Sequence, residues 1–302
     1  MTKIRVAIIG TGNIGRDLCA RLCLDDDFEV MALVGRRPDS PGLIEFEDKV
    51  PNLFSGGIEE LLASGILVDG VFDATSAADH KLHWSLLQRN NIWAIDLTPS
   101  KIGKPFVPEL TGKIEGMAIQ QKKLSNYSMV TCGGQSSAPL LYAMASNSEG
   151  ITEVEVSSSI ASLSAGPATR RNIDEYIQST ENLIEIITNC RTVKAILVLN
   201  PAEPPIMMRT SVHMKVQKFN LEAMINSTQE VASQVQKYVP GYEIAVQPHS
   251  PTPGYVTATA KVVGAGYALP EYAGNLDIIN AAGVETARQH YKFHAKVNGV
   301  NL

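Results

Sequence analysis

A short glycine-rich segment near the start of the chain constrains the fold most strongly. The segment GTGNIG spans residues 10–15, directly follows the apolar run RVAII, and opens a helical pattern. Glycines at positions 10, 12 and 15 allow a tight turn, close approach of the backbone to a pyrophosphate and close helix packing. The helix N-terminus offers N–H donors to phosphates. This strand–loop–helix context predicts dinucleotide binding by Gly10, Thr11, Gly12, Asn13, Ile14 and Gly15. A glycine turn with a purely structural role is the alternative.

The pattern of apolar residues predicts two domains of different architecture. Apolar runs at 5–10, 30–35, 69–75 and 92–98 alternate with helical patterns, which indicates parallel strands joined by crossover helices. After Pro139 longer alternating strands and longer amphipathic helices predict a mixed sheet with helices packed against one face. A chain of 302 residues is long enough for each domain to bury its own core.

The residues after the second predicted strand bear on the choice of cofactor. A carboxylate usually stands at this point and binds the ribose hydroxyls of NAD, but the segment VGRRPDS carries Arg36 and Arg37. An arginine here can accept a 2′-phosphate, so NADP is kept beside NAD as a candidate cofactor. The alternative is that Arg36 lies along the adenine and Arg37 is solvated.

Composition and charge exclude several classes of function. The net charge of -5 gives no basic surface for nucleic acid or an anionic membrane. No apolar run is long enough for a signal peptide or a membrane span, so a soluble, cytoplasmic protein is expected. The four cysteines are too few and too irregularly spaced for a disulfide framework, which predicts reduced thiols and no bound metal.

One cysteine, Cys132, stands in a context that favours chemistry. It follows the run YSMVT, and GGQSSAPLLYAMAS continues from it as a predicted helix. A helix N-terminus stabilises a thiolate and lowers the thiol pKa, which predicts that Cys132 can attack a carbonyl carbon at neutral pH. Gln135, together with the Cys132 N–H, is a candidate donor to the resulting oxyanion. An inert buried cysteine is the alternative.

A second loop carries small residues and two arginines. The segment SLSAGPATRRNIDEY, residues 162–176, places Gly–Pro and the pair Arg170 and Arg171 before a predicted helix. It fits a phosphate or nicotinamide contact, and it fits equally a turn with solvated arginines. The residues alone do not decide between the two.

Taken together, these segments resemble the acylating acetaldehyde dehydrogenases, which oxidise short aldehydes to acyl-coenzyme A with NAD. The matching segments occur in the family's order across nearly the whole chain: AIIGTGNIGRDL, LVGRRPDSPGL, VFDATSAADH, IDLTP, VTCGGQSSAP, SAGPATRRNIDEY, LNPAEPPIMMR, YVPGY and LPEYAGNLDI. The resemblance implies a glyceraldehyde-phosphate-dehydrogenase-like architecture. A Rossmann domain at 1–131 would be completed by a C-terminal helix at 275–302, and a catalytic and oligomerisation domain would span 132–274.

The resemblance also implies an activity, partners and further site residues. Cys132 would form an acyl thioester from acetaldehyde or propionaldehyde, and coenzyme A would cleave it. A homo-oligomer, a 4-hydroxy-2-oxoacid aldolase as partner and a role in aromatic hydrocarbon catabolism are implied. Besides the glycine loop, the implied NAD contacts are Asn275 and the loop of Ser162, Leu163, Ser164, Ala165, Gly166, Pro167, Ala168, Thr169 and Arg170.

The chain departs from the family pattern at Thr210. The family usually has an acidic residue after the arginine of IMR, whereas this chain reads MMRTS. Thr210 cannot act as a carboxylate, and His213 is a candidate replacement if the strand brings it to the site. The segment 242–255 is also shorter than usual. These departures leave open a nucleotide-binding regulator without catalysis, and the shared fold leaves open a non-acylating or semialdehyde dehydrogenase that forms the same thiohemiacetal.

Overall fold

The computed structural model of the chain describes residues 3–297, except for the side chains of Pro167 and Ala168, and contains two main sheets flanked by helices. The strands are β1 (Ile4–Ile9), β2 (Phe28–Val34), β3 (Leu53–Phe54), β4 (Gly70–Asp73), β5 (Trp93–Asp96), β6 (Lys104–Pro105), β7 (Asn126–Ser128), β8 (Ser148–Glu149), β9 (Glu153–Ala161), β10 (Val193–Asn200), β11 (Met208–Lys215), β12 (Lys218–Phe219), β13 (Tyr242–His249) and β14 (Tyr255–Val262). The helices are α1 (Asn13–Leu22), α2 (Pro41–Glu45), α3 (Ile58–Ala63), α4 (Ala77–Arg89), α5 (Cys132–Ala145), α6 (Pro167–Arg171), α7 (Ile173–Thr188), α8 (Leu221–Val235) and α9 (Gly274–Val297). None of the helices in the described range is long and apolar enough to cross a membrane.

The first sheet has the parallel, doubly wound topology that the glycine motif predicts. Its order is β3-β2-β1-β4-β5-β7-β6, and every pair of neighbours is parallel. The helices α1 and α9 cover one face, and α3 and α4 cover the other. The strand order reverses between β1 and β4, and ligands of such sheets bind in the crevice at this point.

The second sheet is mixed, as predicted, and one of its faces is covered by helices. Its order is β10-β9-β11-β14-β13; β9 and β10 are parallel and the other pairs are antiparallel. The helices α5, α7 and α8 pack on one face. Along β11, Thr210, Val212 and Met214 are buried under these helices, while Ser211 and His213 point to the open face.

The last helix, α9, contacts both cores. Ile279 belongs to the core of the parallel sheet and Ile278 to the core of the mixed sheet. A buried ion pair between Arg21 and Asp277 ties α1 to α9. Removing one member of such a pair leaves an unpaired buried charge, which typically costs about 3–5 kcal/mol. Residues 298–302 of the predicted C-terminal helix lie outside the described residues.

Candidate active site

The glycine loop between β1 and α1 makes a tight turn with one open side. Gly10 has a φ of +111°, and a Cβ there would lie 2.5 Å from the Ala74 carbonyl oxygen. A Cβ on Gly15 would lie 1.9 Å from the Gly10 carbonyl oxygen. A Cβ on Gly12 would meet nothing within 4 Å. The turn therefore needs the outer two glycines for its own packing, and it leaves space at Gly12, beside the first N–H groups of α1.

A cleft of about 660 Å³ opens beside this loop, where the strand order reverses. Arg36 and Arg37 lie at the end of β2 and line the cleft. The Arg36 side chain is 75% exposed, and its Nη1 lies 3.4 Å from the Asp79 Oδ1. No carboxylate follows β2 directly, so the outer end of the cleft presents two guanidinium groups that can bind an anion.

Buried charges hold the strand ends beneath the cleft. The Asp73 Oδ2 lies 2.8 Å from a ring nitrogen of both His80 and His83. Burial pushes the pKa of Asp73 upward, but the hydrogen bonds of the two histidines outweigh it and hold the pKa below its ordinary value. The other Asp73 oxygen accepts from the Thr75 N–H at 3.1 Å. An ionised Asp73 therefore fixes Thr75 at the edge of the cleft.

Cys132 is the first residue of α5 and follows a strained turn. Val130 has a φ of +59°, which is rare for a β-branched residue and is typical of strain kept at functional sites. The Thr131 hydroxyl caps the helix and accepts from the Gly134 N–H at 2.8 Å. This turn holds Cys132 at the helix start, where the N–H groups of Cys132 and Gly133 act on the sulfur.

A cavity of about 100 Å³ is lined by Cys132 and adjoins the cleft, because Thr75 and Ser76 line both spaces. Asn275, at the start of α9, also lines the cavity; its side chain is 1% exposed, and its Oδ1 has no hydrogen-bond partner within the described structure. A buried polar atom without a partner indicates a place for a ligand group. The remaining lining residues are uncharged: Ile14, Leu97, Thr98, Pro99, Val130, Thr131, Thr169, Asn172, Tyr176, Leu276 and Ile279.

The Cys132 thiol is less acidic than the sequence predicts. Burial raises its pKa to about 11, although the Tyr176 hydroxyl and the N–H groups of Gly133 and Cys132 lower it. The prediction of a depressed pKa is therefore wrong: the helix acts in the expected direction, but desolvation of the thiolate outweighs it. At neutral pH the attack of Cys132 on a carbonyl depends on a small ionised fraction.

Three buried hydroxyl groups lie in series on one side of Cys132, and the sequence does not reveal the two nearer ones, those of Tyr176 and Ser158. The Tyr176 Oη on α7 is 4.0 Å from the Cys132 Sγ. The Ser158 Oγ on β9 is 3.2 Å from the Thr210 Oγ1 on β11. A Cβ on Gly133 would lie 2.0 Å from the Tyr176 Oη and 2.6 Å from the Ser158 Oγ, so the two hydroxyls meet beside this glycine. Tyr176 fits the apolar stripe of its helix, and that stripe contains no signal of a site.

Gln135 does not face the reaction site as an oxyanion donor. Its Nε2 donates to the carbonyl oxygens of Phe106 and Met129, at 2.8 and 2.9 Å. Both amide hydrogens are thus used to fasten α5 to the parallel sheet. The predicted role of Gln135 as an oxyanion donor is wrong in this arrangement, and the N–H groups at the start of α5 are the donors that remain.

His213 cannot replace the acidic residue that the family pattern places at position 210. It is exposed on the open face of the mixed sheet, and its Nδ1 lies 2.7 Å from the Thr257 Oγ1. Thr210 points to the opposite, helix-covered face, on the side of Cys132. The alternation of side chains along β11 separates the two residues.

The loop from Ser162 to Arg170 is braced mainly by its own arginine. Arg170 donates to the carbonyl oxygens of Ala165 and Ser162 and to the Ser162 hydroxyl, at 2.9–3.0 Å. Thr169 lines the cavity at Cys132, and Arg171 lines the cleft. Thr169 alone among the described residues of this loop lines either space. The other described residues line neither the cleft nor the cavity: Ser162, Leu163, Ser164, Ala165, Gly166 and Arg170. The side chains of Pro167 and Ala168 lie outside the described part of the chain.

Comparisons with known proteins give matches over nearly the whole chain. A family model described as prokaryotic acetaldehyde dehydrogenase, dimerisation, matches residues 132–270. An acetaldehyde dehydrogenase of Spirochaeta aurantia is 43% identical over 292 residues, covering 96% of this chain and 95% of that protein. One of Pectobacterium atrosepticum is 42% identical over 282 residues, covering 93% of this chain and 94% of that protein.

A solved structure shares the fold at low sequence identity. Aspartate semialdehyde dehydrogenase II of Vibrio cholerae, complexed with ASA, aligns with a TM-score of 0.61 and 13% identity, covering 96% of this chain and 99% of that chain. Such a likeness supports the two-domain, glyceraldehyde-phosphate-dehydrogenase-like architecture and carries no argument about activity. The curated relatives, at about 40% identity over almost their full length, decide the relationship. This chain belongs to the acetaldehyde dehydrogenase family.

Proposed function

We propose that this chain is an acylating dehydrogenase that oxidises acetaldehyde, or a similar short aldehyde such as propionaldehyde, to acyl-coenzyme A with NAD. Family membership makes it an aldehyde dehydrogenase; the use of coenzyme A and of NAD is the proposal. One observation carries it above all: Cys132 begins a helix inside an uncharged cavity that adjoins the cleft of a glycine loop.

The residues around the cleft suit a nicotinamide dinucleotide. The open side of Gly12 and the start of α1 would hold the pyrophosphate. The unpartnered Asn275 oxygen would accept a hydrogen bond from the nicotinamide carboxamide, whose amide group is a donor. Bound there, NAD supplies the hydride acceptor for the oxidation of an aldehyde.

Cys132 supplies the covalent chemistry in the cavity that adjoins the cleft. Its thiolate adds to the aldehyde carbon and forms a thiohemiacetal, and the N–H groups at the start of α5 stabilise the developing oxyanion. Loss of hydride from this adduct leaves a thioester on the sulfur. Attack by the coenzyme A thiolate on the thioester carbon then forms acyl-coenzyme A and releases Cys132 as a thiolate.

The cavity lining favours a small, uncharged aldehyde over a charged semialdehyde. Within the described residues, no lysine or arginine lines the space at Cys132. A substrate carboxylate or phosphate would lose its hydration there without gaining a partner, which is costly. This argues against the semialdehyde alternative that the fold alone leaves open.

We also propose the assembly and supply of substrate that the family suggests. The matched region carries a dimerisation description, which supports a homo-oligomer. An aldolase that releases a short aldehyde, such as a 4-hydroxy-2-oxoacid aldolase of aromatic hydrocarbon catabolism, is the proposed source of substrate. Aldehyde turnover by the isolated chain does not require that partner.

The reaction is tested by following NADH from acetaldehyde with and without coenzyme A. We expect sustained NADH formation only when coenzyme A is present, and no turnover of aspartate semialdehyde. Sustained NADH formation without coenzyme A would instead identify a non-acylating enzyme. Nucleotide binding without turnover of any short aldehyde would favour a regulator.

The same assay tests the role of Arg36. We expect the chain to use NADP as well as NAD, because the exposed Arg36 guanidinium lines the cleft and can exchange its 3.4 Å contact with Asp79 for a contact with a 2′-phosphate. Arg36→Ala should raise the KM for NADP by about tenfold, as expected for a lost hydrogen bond to a charged group, and should change the KM for NAD much less. Arg89→Ala, outside the cleft lining, is the matched control. Equal changes for both cofactors would refute the assignment.

A further inference from the structure

A series of hydroxyl groups leads from the mixed sheet to the sulfur of Cys132. Thr210 and Ser158 face each other across β11 and β9 and are both buried. Ser158 in turn hydrogen-bonds the Tyr176 hydroxyl, which lies 4.0 Å from the Cys132 Sγ, within reach of a hydrogen bond to sulfur. Gly133 makes this approach feasible, since any side chain there would collide with both Tyr176 and Ser158.

The direction of these hydrogen bonds follows from which groups can ionise. Burial raises the pKa of Tyr176 well above its ordinary value, and the negative charge of Cys132 raises it further, so the phenol keeps its proton. A protonated phenol next to a thiolate can only donate to it. The Ser158 hydroxyl then donates to the Tyr176 oxygen, and donors arranged in series polarise and strengthen one another.

Among the described residues, no charged side chain competes with this donor at the sulfur. Tyr176 is the one titratable side chain, among the described residues, whose contact changes the pKa of Cys132. The described residues of α6, α9 and the strand ends contribute neutral groups to the cavity, such as Thr169, Asn275 and Thr98. A carboxylate at position 210 would repel a thiolate, whereas Thr210 keeps this series of hydrogen-bond donors neutral.

We propose that Tyr176 is a catalytic residue whose hydroxyl, oriented by Ser158 and Thr210, donates a hydrogen bond to the Cys132 sulfur whenever that sulfur is negatively charged. This rests on the proposed function in which Cys132 is the nucleophile. The charge arises twice: when the thiol gives its proton to water before attack, and when thioester cleavage releases the sulfur with its bonding electron pair. Tyr176 keeps its own proton in both steps.

The test measures the alkylation of Cys132 with iodoacetamide and with N-ethylmaleimide, using mass spectrometry to follow the Cys132 peptide. The parent protein carries Cys23→Ser, because the exposed Cys23 thiol has a pKa lowered to about 7 by its hydrogen bond from Cys19 and would react first. Tyr176→Phe should slow both reagents by about tenfold at constant pH, the effect of a thiol pKa raised by about one unit. Tyr142→Phe, which removes the same hydroxyl elsewhere, should change neither rate.

Comparing the two reagents separates an effect on the ionisation of Cys132 from an effect on its accessibility. A raised thiol pKa slows both reagents by the same factor, whereas altered access slows the larger reagent more. Thr210→Val removes the hydroxyl group that is farthest from the sulfur in this series. It should slow both reagents by about threefold, because the remaining hydrogen bonds are less polarised. NADH affinity should stay at the parent value in every variant.

The inference is overturned if Tyr176→Phe leaves both rates unchanged or slows only the larger reagent. Because alkylation needs neither aldehyde nor coenzyme A, this result is independent of the proposed reaction. Equal slowing of both reagents in a protein that turns over no aldehyde would uphold the role of Tyr176 toward the sulfur and would refute the proposed function.

Discussion

Cys132→Ala is expected to lower acyl-coenzyme A formation by about 10⁴-fold or more, the scale of loss found when a covalent nucleophile is removed. Without the sulfur there is no thiohemiacetal to lose hydride and no thioester for coenzyme A to cleave. The substitution removes one sulfur atom from the wall of the cavity, so the variant should unfold at nearly the parent temperature. NADH formation and thermal unfolding, measured on the same sample, separate lost chemistry from lost structure.

Cys23→Ser is the matched control for this variant. Cys23 is exposed at the C-terminal end of α1 and lines neither the cleft nor the cavity, so its replacement should leave the turnover number unchanged. Substantial acyl-coenzyme A formation by Cys132→Ala would show that another group captures the aldehyde. An equal loss in both variants would point to a general effect of thiol removal.

Two alanine substitutions in the glycine loop are expected to have separate effects, one on NADH binding and the other on stability. Gly12→Ala should fold normally, because its backbone is extended and a Cβ meets nothing within 4 Å. It should weaken NADH binding by about tenfold or more, since each factor of ten corresponds to about 1.4 kcal/mol and the Cβ occupies the proposed space of the pyrophosphate. Gly15→Ala should instead destabilise the protein by about 1–3 kcal/mol, as overpacking does, because its Cβ would lie 1.9 Å from the Gly10 carbonyl oxygen.

Fluorescence titration with NADH and thermal unfolding measure the two effects. Unchanged NADH affinity in Gly12→Ala would place the dinucleotide away from the loop and would remove the main support for the cofactor proposal. Normal stability of Gly15→Ala would show that the loop and helix can separate, contrary to the packing described above.

Much of the parallel sheet could be predicted because its strands are buried on both faces. Such strands appear as continuous apolar runs; the predicted runs 69–75 and 92–98 contain β4 and β5, and the runs 5–10 and 30–35 overlap β1 and β2, which begin one and two residues earlier. The strands β3, β6 and β7 have two or three residues each, too few for a periodic pattern. Their place in the sheet is set by tertiary pairing, which local sequence does not encode.

The candidate site could be predicted only where local sequence determines the geometry. Cys132 could be predicted as the candidate nucleophile because it directly precedes two glycines at the start of a helix. The contacts of Tyr176, by contrast, depend on α7 packing over strands that are distant in sequence, and no spacing rule brings Ser158 and Thr210 to it. The prediction for Gln135 is wrong for the same reason, since the packing of α5 beside the parallel sheet directs its amide nitrogen to the carbonyl oxygens of Phe106 and Met129.

The acidity of Cys132 shows how two local rules can oppose each other. A helix N-terminus lowers a thiol pKa and burial raises it, and only the three-dimensional structure decides which effect is larger. The result places greater weight on neutral donors around the sulfur than the sequence suggests.

The most direct test of the central claim is the covalent state of Cys132 after the oxidation step. The protein is mixed with acetaldehyde and NAD in the absence of coenzyme A, quenched in acid, digested and examined by mass spectrometry. We predict a burst of NADH stoichiometric with the chain, together with one acetyl group on the peptide that contains Cys132; addition of coenzyme A before the quench should remove that group. NADH formation with Cys132 unmodified, or with the acetyl group on another residue, would contradict the assignment of Cys132 as the nucleophile.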